Sequence, residues 1–337
     1  MKTILVTGGA GFMGSNFVRY MLNKYPDYKM LILDALTYAG SMDSLPRDPQ
    51  VQFWFGNVRN AELVNTLVAQ SDIVVHFAAE THVTRSIFDN LLFFETDVLG
   101  TQSVANAVLK NNSVERFIHI STSEVYGTAR TEVMDEEHPL MPSSPYASAK
   151  AGADRLVYSY WYTYDIPVVI LRPFNNYGPF QHLEKVIPRF ITSCILNEPL
   201  TVHGDGKASR DWLFVEDLCE ALDKILHCDI GKVKGEVINI GSGRSVDIRT
   251  IAEMIVDMMG KPRSLIAYIG DRPGQVFRHT SSTEKMKRLF GWKPKTTFEE
   301  GLIKTKNWYE QNRWWWEKQL WMRSIPIITR KGERELH

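Results

Sequence analysis

Three cysteines in 337 residues are too few, and odd in number, for a disulfide framework. Cys194, Cys219 and Cys228 also lack the close pairing that a zinc or iron–sulfur site needs, so no metal site is expected. No apolar run approaches the roughly 18 residues that cross a bilayer, which argues against a helical membrane span. Neither charge is in excess. The 39 basic side chains meet 39 acidic ones, so no nucleic-acid or membrane-surface partner is expected. Internal repeats and low-complexity segments are missing as well. The opening six residues are apolar like the start of a signal peptide, but glycines follow where such a peptide needs its hydrophobic core. A cytoplasmic location is the expectation. What is present is a hydrophobic content of 44 % and enough length for two lobes, each with its own core.

Apolar segments at Lys2–Thr7, Met30–Leu33, Ile73–Phe77, Arg116–Ile120 and Val168–Leu171 predict buried parallel strands. Helical stretches such as Ser15–Lys24 and Gly100–Lys110 lie between them. This alternation predicts a Rossmann-type doubly wound parallel sheet. Beyond roughly residue 180 the pattern loosens. Short strands at Leu200–His203 and Val237–Ile240, with helices at Val215–Cys228 and Ile248–Met259, predict a smaller α+β lobe that binds substrate. The expected division is 1–178 for the dinucleotide-binding domain and 179–320 mainly for the second lobe, with some chain crossing back. Residues 321–337 would form a tail. Trp308, Trp314, Trp315, Trp316 and Trp321 crowd this end of the chain and are expected to pack it onto the body or a neighbouring subunit.

Three local patterns carry chemistry. Gly8, Gly11 and Gly14 follow a strand and open a helix, so the backbone can turn tightly and approach a pyrophosphate at the helix amino terminus. Asp34 ends the second strand, where a carboxylate accepts hydrogen bonds from an adenosine ribose and repels a 2′-phosphate. The cofactor implied is NAD rather than NADP. Tyr146 and Lys150 stand four apart at a helix start, which places a phenol and an ammonium on one face. The cation is expected to favour the phenolate and fit the tyrosine for acid–base work. Third, a strand runs into Thr122-Ser123-Glu124 at the ligand edge of the sheet. Thr122 suits a substrate hydroxyl. Glu124 suits removal of a proton next to a carbonyl, a task that simple hydride transfer does not need.

With these patterns in place, the chain resembles the extended short-chain dehydrogenases/reductases, and among them the nucleotide-sugar 4,6-dehydratases, most of all the dTDP-glucose branch. The likeness spans roughly residues 1–312. It is carried by Thr7–Gly14, Asp34–Gly40, Ala78–Val83, Ser121–Gly127, Pro145–Lys150, Asn175–Gln181, Glu184-Lys185, Arg210–Trp212 and Asp271–Gly274. It implies an NAD-dependent lyase that turns an NDP-hexose, dTDP-glucose first, into its 4-keto-6-deoxy product. Carbon 4 is oxidised, water leaves across carbons 5 and 6, and hydride returns. The resemblance also implies cofactor contacts at Phe12, Met13, Asn57, Val58, Ala78 and Ala79, besides the glycines, Asp34, Tyr146 and Lys150. For the nucleotide sugar it implies His82, Thr122, Asn176, Lys185, Val186, Arg210, Asn239, Arg272 and His279. A homodimer through Thr96–Lys110 and Ala147–Tyr164 is implied too.

The chain departs from the pattern at Ser123, where an aspartate usually protonates the departing hydroxyl, so that Glu124 would do both jobs. Asn57 replaces an aspartate near the adenine, Thr84 replaces another, and His279 stands where a tyrosine is common. The alternatives are a UDP-glucuronate decarboxylase, which shares Thr-Ser-Glu, an NDP-sugar C-4 epimerase, which lacks a carboxylate like Glu124, and a non-enzymatic NAD-binding protein.

Overall fold

The protein is described here by a computed structural model covering residues 2–270, 276–324, 326–328 and 334–336. In chain order the first strands are β1 (Thr3–Thr7), β2 (Lys29–Asp34), β3 (Val51–Phe55), β4 (Ile73–His76), β5 (Arg116–Ile120) and β6 (Val168–Pro173). They are followed by β7 (Asn175–Tyr177), β8 (Leu200–His203), β9 (Ser209–Phe214), β10 (Val237–Ile240), β11 (Ser245–Asp247) and β12 (Ile266–Ile269). Two short strands, β13 (Pro326–Ile328) and β14 (Arg334–Leu336), pair antiparallel at the end.

Seven strands form one parallel sheet in the order β10-β6-β5-β4-β1-β2-β3. The chain winds outward from β1 to β3, then restarts at β4 on the other side of β1. Between β1 and β4 the winding reverses, and there the carboxyl ends of the strands open a crevice. β1, β4, β5 and β6 are almost wholly buried, because helices cover both faces of the sheet. One face packs Val18 and Met21 against Leu218 and Leu222. The other packs Leu67, Val104, Val108 and Val157. Each such side chain contributes about 1.5–3 kcal/mol by leaving water.

The second half builds its own core from Ile187, Ile191, Ile251, Ile255 and Leu302. Small sheets, β11-β9-β7 and β12-β8, line it. β10 instead crosses back to the edge of the large sheet beside β6, so Val237–Ile240 belongs to the first core rather than the second.

Two helix starts differ from the sequence reading. The first helix begins at Phe12, inside the glycine turn, because Gly11 serves as its amino-terminal cap. The helix expected from Gly100 is a regular α-helix only from Thr101, and Phe94–Gly100 before it is a π-helix. Such wide turns re-aim side chains, and this one turns Asp97 inward. β3 went unrecognised because an edge strand with half-exposed residues lacks a clean apolar run.

The tryptophans divide. Trp315 and Trp316 are buried, and Trp315 Nε1 donates to Ser44 Oγ at 3.2 Å, tying this end of the chain to the first half. Trp308 and Trp315 pack on Phe180, which also carries the Arg19 guanidinium on its face. Trp314 and Trp321 stay exposed.

Candidate active site

A single cleft runs along the carboxyl ends of the large sheet and under the second half of the chain. Its floor is the turn after β1. Gly8 has φ +68°, and a Cβ there would come within 2.6 Å of the Ala78 amide. At Gly14 a Cβ would run into the Gly8 carbonyl oxygen. No side chain caps the helix that begins at Phe12, so its first N–H groups are left to an anion. Asp34 anchors this turn: its carboxylate accepts from the Ala10 N–H at 2.9 Å and the Leu36 N–H at 2.8 Å. Burial pushes its pKa up, against the pull of those two bonds. Gly8, Gly11, Phe12, Met13, Gly14, Asp34, Asn57, Val58, Ala78 and Ala79 all line this part of the cleft.

Tyr146 and Lys150 enter from the helix Pro145–Tyr164. Ser144 caps that helix by accepting from the Ala147 N–H, and Pro145 fits its first position. Lys150 is buried and donates to the Ile120 carbonyl at 2.8 Å. Burial lowers its pKa, while the charges of Asp97 and Asp154 hold it up. The Tyr146 phenol differs from expectation. Among protein groups alone its pKa is raised, first by burial and then by the Asp97 charge, although hydrogen bonds with Thr122 and Thr81 pull it down. Desolvation and the Asp97 charge therefore outweigh the two hydrogen bonds at this position.

Thr122 caps the short turn Ser123–Tyr126 after β5, its Oγ1 accepting from the Glu124 N–H at 3.2 Å. Thr122, Ser123 and Glu124 line the same cleft as Tyr146 and Lys150. Glu124 Oε1 lies 3.8 Å from Arg210 Nε and 3.8 Å from His279 Nδ1.

On the side of the second half, His82, Asn176, Lys185, Val186 and Arg210 line the cleft. His82 has φ 102°, a strained backbone for a non-glycine residue. Lys185 Nζ donates to Thr81 Oγ1 at 3.1 Å. The carbonyl oxygens of the Asn176 and Gln181 side chains are buried with no hydrogen-bond partner among the described residues, so both are available to a ligand. Arg272 lies outside the described residues, with the rest of Asp271–Gly274. Two candidates for substrate contact do not reach the cleft. Asn239 accepts from the Tyr126 hydroxyl at 2.7 Å and donates to the Met134 carbonyl at 3.0 Å. His279 is fully buried behind Ser123, with Nδ1 3.3 Å from Ser123 Oγ. The two departures at Ser123 and His279 are thus in contact with each other.

The sequence reading passed over three further groups. Asp97, aimed inward by the π-helix, accepts from the Glu80 N–H at 2.7 Å, and burial pushes its pKa up to about 7. Glu184 is a buried carboxylate 2.8 Å from Arg85 Nε, and its neighbouring cations outweigh burial to bring it down to about 2. Asp154 and Arg172 form a buried pair beneath Lys150, with two contacts of 2.9 Å. Asp97 had no local signal, whereas Glu184 lay within a motif already noted.

This geometry fits what comparison with known proteins finds. Residues 5–305 match the family described as GDP-mannose 4,6 dehydratase. The low-salt glycan biosynthesis protein Agl12 of Haloferax volcanii is 47 % identical over 303 residues, covering 89 % of this chain and 96 % of that protein. A dTDP-glucose 4,6-dehydratase of Streptomyces niveus is 40 % identical, covering 93 % of this chain and 94 % of its own. The crystal structure of dTDP-glucose 4,6-dehydratase from Bacillus anthracis in complex with NAD superposes with a TM-score of 0.88. It is 41 % identical and covers 95 % of this chain and 100 % of that one.

Proposed function

The chain belongs to the GDP-mannose 4,6-dehydratase family, and from that premise we propose that it is an NAD-dependent nucleotide-sugar 4,6-dehydratase, with dTDP-glucose as the first substrate to test. One observation carries the reading: the Glu124 carboxylate shares the cleft with the Tyr146–Lys150 pair. An oxidase or epimerase has no use for that extra base. The glycine turn, whose Gly8 and Gly14 leave no room for a Cβ, and the carboxylate of Asp34 suit a dinucleotide. When bound, NAD supplies the acceptor for hydride from sugar carbon 4 and the donor that returns it to carbon 6.

The chain's own residues move the protons. Tyr146, with Thr122 beside it, takes the proton of the 4-hydroxyl as a phenolate. Burial among protein groups alone disfavours that form, and the positive charge of Lys150, with that of oxidised NAD when bound, would favour it. The ketone so formed acidifies the proton on carbon 5, which Glu124 removes. Lys185 and Arg210 pair with the diphosphate oxygens, and Arg272 joins them on the strength of its motif. The proposed division has residues 1–178 holding the cofactor and residues 179–320 mainly holding the nucleotide sugar.

A homodimer completes the reading. Leu99, Tyr162 and Tyr164 expose apolar surface along the two helical segments proposed to pair, and Leu91 and Phe94 extend it just before the first. No helix of the described residues is long and apolar enough to cross a membrane. The cysteines are unpaired, which supports a reducing, cytoplasmic setting.

Incubation with dTDP-glucose, UDP-glucose, UDP-N-acetylglucosamine, GDP-mannose and UDP-glucuronate, followed by mass spectrometry, tests the proposal. A product lighter by one water supports it. Loss of carbon dioxide would transfer the assignment to a decarboxylase, and an isobaric product to an epimerase.

A further inference from the structure

Behind the Glu124 carboxylate, a serine and a histidine 156 residues apart in the chain are in contact. His279 Nε2 lies 2.7 Å from the Gly127 carbonyl oxygen, which can only accept, so this nitrogen carries a proton. Nδ1 faces Ser123 Oγ at 3.3 Å and Glu124 Oε1 at 3.8 Å. The titratable groups around the ring are Glu124 from the turn after β5, Arg210 from β9 and His138 from the loop beyond that turn. Phe174 closes one side with a ring edge. Burial disfavours the imidazolium most, and Arg210 and His138 add to it. Glu124 and the Gly127 carbonyl act against it, and the net direction is down. The ring rests neutral, with its Nδ1 lone pair turned to a donor. The Ser123 hydroxyl is the donor within reach.

We infer that His279 is a positioning residue for the elimination: its Nδ1 accepts a hydrogen bond from the Ser123 hydroxyl, so that Ser123 faces the cleft with lone pairs and Glu124 carries the proton both ways. This rests on the dehydratase reading. Glu124 takes the proton from carbon 5, and the electron pair of that C–H bond becomes the second bond between carbons 5 and 6. The bond from carbon 6 to its oxygen breaks. The departing hydroxyl takes the same proton back from Glu124 and leaves as water. Ser123 Oγ, its own proton committed to His279, accepts from the sugar's 6-hydroxyl and turns that oxygen's lone pair toward Glu124. A serine free to rotate would instead donate to the Glu124 carboxylate and weaken it as a base.

The test combines a spectrum with a partition. In protein labelled with 15N-histidine, the His279 signals, assigned by their loss in His279→Phe, should show Nε2 protonated and Nδ1 unprotonated from about pH 6 to 8. An imidazolium at neutral pH would overturn the proposal. In His279→Phe, oxidation at carbon 4 should persist while elimination slows by roughly ten- to a hundredfold, so NADH accumulates on adding substrate. His279→Asn, whose amide oxygen replaces Nδ1 as acceptor, should keep elimination within a few-fold of wild type. Equal losses of oxidation and elimination in both variants would mean a structural role only and would also overturn it. Wild-type enzyme that yields no dehydrated product would remove the dehydratase reading itself, an outcome visible before any variant is made.

Discussion

Asp154→Ala should unfold the protein at a much lower temperature, and the reason lies in the buried pair under Lys150. The Asp154 and Arg172 side chains are 0 % and 2 % exposed. Arg172 donates twice to the carboxylate at 2.9 Å, and Ser121 Oγ donates to it at 2.7 Å. Removing the carboxylate leaves a guanidinium buried without its counter-charge, which costs about 3–5 kcal/mol. Against a total stability of about 5–15 kcal/mol this is a large loss, and at roughly 2–4 °C per kcal/mol it lowers Tm by about 6–20 °C. Adding Arg172→Met should recover part of the drop, because the orphaned charge is then gone. The recovery stays partial, since Arg172 also donates to the Tyr126 hydroxyl.

The pH dependence has a definite sign. Arg172 holds the Asp154 carboxyl well below the usual carboxylate range. Its stabilisation is therefore complete above the unfolded pKa of about 3.9 and is lost as pH falls through the lower folded value. The Tm gap between wild type and Asp154→Ala should be constant from about pH 5 to 8 and close in acid. Thermal melts followed by tryptophan fluorescence measure all of this. A Tm change below about 2 °C, or no recovery on adding Arg172→Met, would refute the account.

Glu124→Gln should let Tyr146 and Lys150 oxidise carbon 4, so NADH builds up while dehydrated product falls by about a hundredfold or more, and Tyr146→Phe should give no NADH signal. Dehydration at the wild-type rate by Glu124→Gln would strip the glutamate of its role. NADP should bind at least about tenfold more weakly than NAD, because the Asp34 carboxylate repels a 2′-phosphate. Comparable affinities by calorimetry would remove Asp34 from that task. Sedimentation at micromolar concentration should give a dimer, and Leu99→Glu with Tyr162→Glu, both at exposed positions, should give monomers. A monomeric mass for the wild type would contradict the pairing.

Much of the glycine-turn side of the candidate site was legible in the chain because its determinants are local. A glycine turn between a strand and a helix, a carboxylate closing the next strand and a Tyr-x-x-x-Lys pair on one helix face are set by periodicity and steric rules that act over a few residues. The same rules located β1, β2, β4, β5 and β6 to within two residues at either end. They also identified Thr122 and Glu124, which sit just beyond a strand end. What only the tertiary structure decided is which distant residues meet. A strand buried on both faces carries no mark of its neighbour, so nothing in Val237–Ile240 announced that β10 crosses back to pair with β6. The inward turn of Asp97 depends on a π-helix, whose wide turn has no local sequence signature. Burial is likewise a property of the whole fold. It raises the Tyr146 phenol where local reasoning expected the lysine to lower it, and it sets the His279 imidazole behind Ser123 instead of against a nucleotide. Short-range sterics wrote the motifs into the sequence, whereas desolvation and long-range contact gave those motifs their electrostatic state.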